Sequence, residues 1–111
     1  MKDTPLAGED DYPVDLSVAP PGAISRVLTI INQKGLHARA SAKFVQTVEK
    51  FDAEVRVSRG CETVGGTSIM GLMMLAAGPG SAITVIAFGK EATEAMAALE
   101  TLVNERFGED E

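Results

Sequence analysis

Lys34-Gly35-Leu36-His37-Ala38-Arg39-Ala40-Ser41-Ala42-Lys43-Phe44 is the stretch that decides how the rest of the chain is read. It holds the only histidine, placed between a glycine and an apolar-periodic segment that predicts a helix. Just upstream, Arg26 to Asn32 is a compact β-branched run with the composition of a strand. His37 therefore falls at a strand–loop–helix junction. The first backbone N–H groups of a helix have no internal partners there, and such a terminus attracts anions, phosphate above all. It also disfavours a cationic ring nearby, which leaves a nitrogen lone pair for nucleophilic attack. Arg39 adds a permanent charge able to grip phosphate oxygens. The combination suits a histidine that takes up a phosphoryl group and passes it on. The competing reading is an ordinary surface histidine beside a helix start.

Working outward, helix one is expected from His37 or Ala38 to about Lys50. Ala40, Phe44, Val48 and Phe51 form one apolar stripe with Val45 beside it, and Lys43, Gln46, Glu49 and Lys50 lie on the wet side. From Asp52 to Arg59 the chain alternates, with Ala53, Val55 and Val57 facing one way and Glu54, Arg56 and Ser58 the other. Arg59-Gly60 turns it into a third strand, Cys61 to about Gly65. Thr67-Ser68 then supply a helix N-cap. The short segment Ile69 to Leu75 is apolar nearly all round, more than a small two-layer domain can bury. Leu72 and Leu75 are expected inside, with Ile69, Met70 and Met73 on an exposed patch that suits a partner; the opposing reading makes the whole segment core. Ala82 to Phe88 is the strongest strand. Glu91 to Phe107 is a long amphipathic helix, with Ala92, Ala95, Met96, Leu99, Leu102 and Val103 on its buried face and Gly108 as its stop. The order β-α-β-β-α-β-α predicts an α+β, open-faced two-layer sandwich: an antiparallel sheet covered on one face by helices.

The net charge of −6 is unevenly spread. Residues 1–15 carry five acids and one base, and residues 109–111 are Glu, Asp and Glu. Between residues 16 and 108, eight acids face nine bases. No basic surface for nucleic acid is indicated. Residues 1–23, with four prolines and little periodicity, read as a mobile acidic extension, and residues 109–111 as an acidic tail. Cys61 is the only cysteine, which leaves no partner for an intrachain disulfide. One histidine with no cysteine or acidic cluster nearby makes a poor metal site, and no metal or cofactor is expected. No apolar run approaches membrane-spanning length, and the N-terminus lacks a secretory pattern. The expected compartment is the cytoplasm.

Gly35-Leu36-His37-Ala38-Arg39 resembles the active-site motif of the HPr family, the phosphocarriers of the sugar or nitrogen-related phosphotransferase systems. Ser68-Ile69-Met70-Gly71 resembles the family's second motif at its usual distance, and the similarity runs from about Ile24 to Phe107. The resemblance implies strand order 1-4-2-3 and a phosphocarrier domain over residues 24–108. It implies that phosphoenolpyruvate-protein phosphotransferase (enzyme I) phosphorylates His37 at Nδ1, with Arg39 as electrostatic partner. The group then passes to an enzyme IIA domain, which makes the protein a relay and not an independent turnover enzyme. Ala38, Ile69, Met70 and Met73 become the expected docking residues, and Ser68 the regulatory serine for a kinase of the HPr kinase/phosphorylase type. The chain departs from many relatives at three places. Ala40 replaces a proline and restores one early N–H, Gln46 and Glu49 stand where lysines are common, and Gly66-Thr67 precede the serine in place of a lysine. The rival class is a non-catalytic, small-ligand-binding regulatory domain, because ferredoxin-like modules share much of this element order.

Overall fold

Alternation and β-branching place the strands, and the computed structural model describes residues 19–110 of the chain. Residues 1–18, most of the expected extension, and Glu111 lie outside the described residues. The elements are β1 (Ile24–Thr29), α1 (Ala38–Val48), β2 (Glu54–Arg59), β3 (Glu62–Gly65), α2 (Ile69–Met74), β4 (Ala82–Phe88) and α3 (Ala92–Asn104), followed by a 3-10 turn, Arg106–Gly108. All strand pairings are antiparallel and the sheet order is β1-β4-β2-β3.

Register carries the apolar alternation from strand to strand. Leu28 lies opposite Ile83, Val55 opposite Ala87, and Val57 sits between Val85 and Val64. These side chains form the sheet side of the core, and Ala40, Phe44, Val45 and Val48 of α1 with Ala92, Met96, Leu99 and Val103 of α3 form the helical side. Phe44 is fully buried, and burying such a side chain stabilises by about 1.5–3 kcal/mol. Phe51, expected on the α1 stripe, lies beyond the helix and is only half-buried. On the opposite face of the sheet Val27 is exposed and Arg56 lies over the Phe88 ring, 4.8 Å from its centroid.

Several element ends differ from the sequence expectation by one or two residues, and three larger departures have a tertiary reason. β1 ends at Thr29 and not Asn32, since its ladder with β4 closes at Thr29 opposite Ala82 and Asn32 turns its side chain into the interior. α3 ends at Asn104 and not Phe107, because Arg106 and Phe107 adopt left-handed φ values of 58° and 56°. That reversal drives Phe107 into the core with no exposed surface. Burial of the ring offsets a backbone that costs roughly 1–2 kcal/mol per non-glycine residue. Third, Glu109 does not trail away as tail. The Lys43 ammonium donates to the Phe107 carbonyl at 2.6 Å, which ties the turn to α1 and carries Glu109 back over the start of that helix.

Gly35 sets the angle at which the chain enters α1. It has φ +66°, and a Cβ there would collide with the Ala77 carbonyl oxygen and stand 2.8 Å from Gly78 Cα. The next residue uses that closeness: the Leu36 N–H donates to the same Ala77 carbonyl at 2.9 Å. Gly35→Ala should therefore lower the thermal midpoint by more than about 5 °C, on the scale of 1 kcal/mol to several degrees for a domain of this size. Gly60→Ala is the control, because Gly60 is also left-handed (φ +61°) but a methyl group there would meet nothing within 4 Å. Thermal melts of the two variants decide the point; equal losses would mean that the Ala77 contact contributes nothing beyond backbone conformation.

Candidate functional site

His37 occupies the N-cap position of α1 with extended backbone (φ −78°, ψ −175°), and its side chain makes no capping hydrogen bond. Its carbonyl accepts the first intrahelical bond, from the Ser41 N–H at 2.9 Å. The N–H groups of Ala38, Arg39 and Ala40 precede that bond, so no helical carbonyl is available to them. The imidazole is thus free of the helix end it borders, and the positive end of the helix dipole faces the space beside it.

Nε2 of His37 lies 2.6 Å from Oε2 of Glu109. The other carboxylate oxygen, Oε1, accepts from Nδ2 of Asn32 at 3.0 Å, and the same amide nitrogen donates to the Gly35 carbonyl at 2.9 Å. Asn32 is fully buried, and its Oδ1 has no hydrogen-bond partner among the described residues. Leaving such an acceptor unmet costs about 1–3 kcal/mol, and the two donor bonds from Nδ2, to Gly35 and to Glu109, work against that cost. Burial of Glu109 opposes ionisation. Hydrogen bonds from His37 and Asn32, with the electrostatic attraction of the His37 ring and of Lys34, outweigh it and hold the carboxyl below the ordinary carboxylate range. The stability tied to this ionised group is present above the ordinary range and lost as pH falls through the lowered value.

The histidine opens onto a cavity of about 430 Å³, with Lys34, Arg39 and Lys43 supplying positive charge and Glu109 and Asp110 negative charge at its edge. The Lys43 ammonium is engaged by the Phe107 carbonyl. Arg39 is exposed and makes no hydrogen bond or ion pair among the described residues. A second cleft, about 220 Å³, runs from His37 and Lys34 to Ala76, Ala77 and Gly78, the segment that leaves α2. The site can therefore admit an anion at the helix terminus while the imidazole remains reachable, with 29% of its side-chain surface exposed.

Ser68 is the N-cap of α2, and its exposed Oγ accepts from the Gly71 N–H at 2.9 Å. In α2, Leu72 is fully buried and the following Leu75 nearly so, whereas Ile69, Met70, Met73 and Met74 are exposed, Met70 by 70% and Met74 by 69%. The reading of this helix as all core does not hold. Met74 belongs to the same apolar surface, which extends it beyond the expected docking residues. Ala38 is exposed at the other end of the region, on the first turn of α1.

Sequence reasoning missed Glu109 and Asn32. The acids at the C-terminus look like a solvated tail, and a polar residue closing a β-branched run looks like the end of the strand. The available signal was Phe107, four residues after Val103 and followed by glycine, which marks an apolar side chain returning to the core just before the acids.

Comparison with known proteins agrees with this geometry. A family model described as "PTS HPr component phosphorylation site" matches residues 24–105. Phosphocarrier protein HPr of Cupriavidus necator is 51% identical over 88 residues, which cover 79% of this chain and 99% of that protein. Phosphocarrier protein NPr of Shewanella violacea is 38% identical over 86 residues, covering 78% and 94%. Among solved structures, HPr from Thermoanaerobacter tengcongensis superposes with a TM-score of 0.76 at 38% identity, covering 79% of this chain and 99% of that one. HPr from Bacillus anthracis gives 0.71 at 38% identity, covering 74% and 98%. The chain belongs to the HPr family and is a phosphocarrier of the phosphotransferase system.

Proposed function

We propose that His37 is the phosphoryl acceptor, charged at Nδ1 by enzyme I and discharged to an enzyme IIA domain. The observation that carries this reading is the placement of His37 at the α1 N-terminus with its side chain free of the helix cap and Nε2 engaged by Glu109. Nδ1 is then the ring nitrogen left for phosphorus. The N–H groups of the first turn and the Arg39 guanidinium supply charge stabilisation, which is most of what a loose phosphoryl-transfer transition state requires. Partial exposure suits a carrier, since a deep site would hold the group too firmly to pass it on. The relay operates in the cytoplasm, where both partners meet it, and residues 24–108 form the phosphocarrier domain. A ligand-binding regulatory domain is not favoured, because it leaves the histidine, the helix terminus and Arg39 without a joint purpose.

The α2 surface is the docking patch in this reading, with Ala38, Ile69, Met70 and Met73 as contacts and Met74 added to them. Thioether side chains adapt to partners of different shape, which a relay between donor and acceptor needs. Ser68 caps α2 and stands at the edge of that patch. Phosphorylation there by a serine kinase of the HPr kinase/phosphorylase type would place about −2 charge beside the apolar surface with little change in fold.

His37→Ala should abolish acid-labile phosphate on incubation with enzyme I and phosphoenolpyruvate while leaving the fold intact, with only the modest loss of thermal midpoint that follows from losing the bond to Glu109. Labelling that persists in the variant would place the acceptor elsewhere. Arg39→Ala should slow transfer about ten- to a hundredfold, the equivalent of a charge-assisted hydrogen bond of roughly 1.5–3 kcal/mol, and an unchanged rate would remove Arg39 from the mechanism. Met70→Glu and phosphate at Ser68 should each weaken binding to enzyme I more than they lower the melting point. Normal affinity in the folded fraction, read by titration calorimetry, would separate α2 from docking.

A further inference from the structure

We propose that Glu109 is the positioning residue of the phosphoryl relay: its carboxylate keeps the proton on Nε2 of His37, leaves Nδ1 as the nucleophile, and neutralises the ring charge created by phosphorylation. The inference rests on the reading of His37 as acceptor and adds a residue from the far end of the chain to it. An ionised carboxylate accepts hydrogen bonds and donates none. At 2.6 Å from Oε2, Nε2 must therefore be the donor, and a neutral imidazole with its proton on Nε2 carries its lone pair on Nδ1. Glu109 stays ionised because hydrogen bonds and nearby charge outweigh the opposing effect of burial.

The carboxylate is itself held. Oε1 accepts from the fully buried Asn32, whose amide is fixed in turn by the Gly35 carbonyl at the entrance to α1. Lys43 fastens the Phe107 carbonyl, two residues before Glu109. The left-handed backbone at Arg106 and Phe107 reverses the chain to deliver it. A carboxylate that orients an imidazole through one nitrogen, so that the other can act, is a general device in hydrolytic triads and metal sites.

On phosphorylation the Nδ1 lone pair forms the new N–P bond while the bond from phosphorus to the donor's leaving atom breaks, and that atom keeps the electron pair. The ring now bears phosphorus on Nδ1 and a proton on Nε2, a cation whose charge lies against the Glu109 carboxylate. On discharge the N–P bond breaks, the electron pair returns to Nδ1, and the proton stays on Nε2 throughout. A carboxylate so near an incoming phosphoryl group also repels it, with Lys34 and Arg39 offsetting that repulsion across the same cavity.

The test uses the full chain labelled with 15N-histidine. His37 is the only histidine, so its two ring nitrogens give unique signals. In the unmodified protein at neutral pH the proton should reside on Nε2. In Glu109→Ala and in the near-isosteric Glu109→Gln the tautomers should mix, and the rate of phosphoryl acceptance from enzyme I should fall about ten- to a hundredfold, as for other carboxylates that orient a functional histidine. Glu109→Asp should recover part of both. An unchanged tautomer, a shifted tautomer with an unchanged rate, or faster acceptance through lost repulsion would each overturn the positioning role. Failure of the unmodified protein to take phosphate on His37 would instead overturn the acceptor reading on which the proposal rests.

Discussion

The close approach of Gly35 to Ala77 is the constraint on which the functional end of the molecule depends. Only a residue without a side chain fits against the Ala77 carbonyl at φ +66°, and the bond from Leu36 to that carbonyl then fixes where α1 begins. The segment that supplies Ala77 leaves α2, so one contact places the helix that holds His37 relative to the helix that presents the methionines. A shift here would move the imidazole, the first-turn N–H groups and the apolar patch out of common reach. The two sequence motifs are thus joined physically, through the backbone, as well as by their spacing.

A second constraint comes from the C-terminus. Burial of Phe107 stabilises a left-handed turn of non-glycine residues, and the turn returns Glu109 to the site. This closes a chain of hydrogen bonds from Gly35 through Asn32 and Glu109 to His37. A carrier has to bind its cargo firmly enough to survive transfer between partners and loosely enough to give it up. Dipole, guanidinium and carboxylate act on different atoms of the same site. In the proposed relay the first two would act on the phosphoryl oxygens and the third on the ring, so the balance would not depend on any one of them being strong.

Much of this was legible in the sequence because it is encoded locally. β4 runs over the expected residues, Ala82 to Phe88, since a β-branched, largely apolar run between Gly80 and Gly89 admits few readings. The alternation of β2, the start of α1 at His37-Ala38 and the cap at Ser68 depend on neighbouring residues only and are found where they were expected. The strand order came from family resemblance, because patterning does not say which strands adjoin. What escaped local reasoning is long-range. His37 and Glu109 are 72 positions apart, and Asn32 and Glu109 are 77 apart. The end of α3 was misplaced for a related reason. Nothing in Asn104 to Phe107 forbids helix, and the reversal follows from where Phe107 finds a core to enter.

The central claim is that a single ring nitrogen, Nδ1 of His37, carries the phosphoryl group while Nε2 keeps its proton. The most direct measurement is 15N and 31P NMR of the histidine-labelled protein after reaction with enzyme I and phosphoenolpyruvate. Phosphorus should couple to Nδ1 alone, with the proton still on Nε2. Phosphorus on Nε2, which would require breaking the bond to Glu109, or no phosphorus on the ring at all, would contradict the claim.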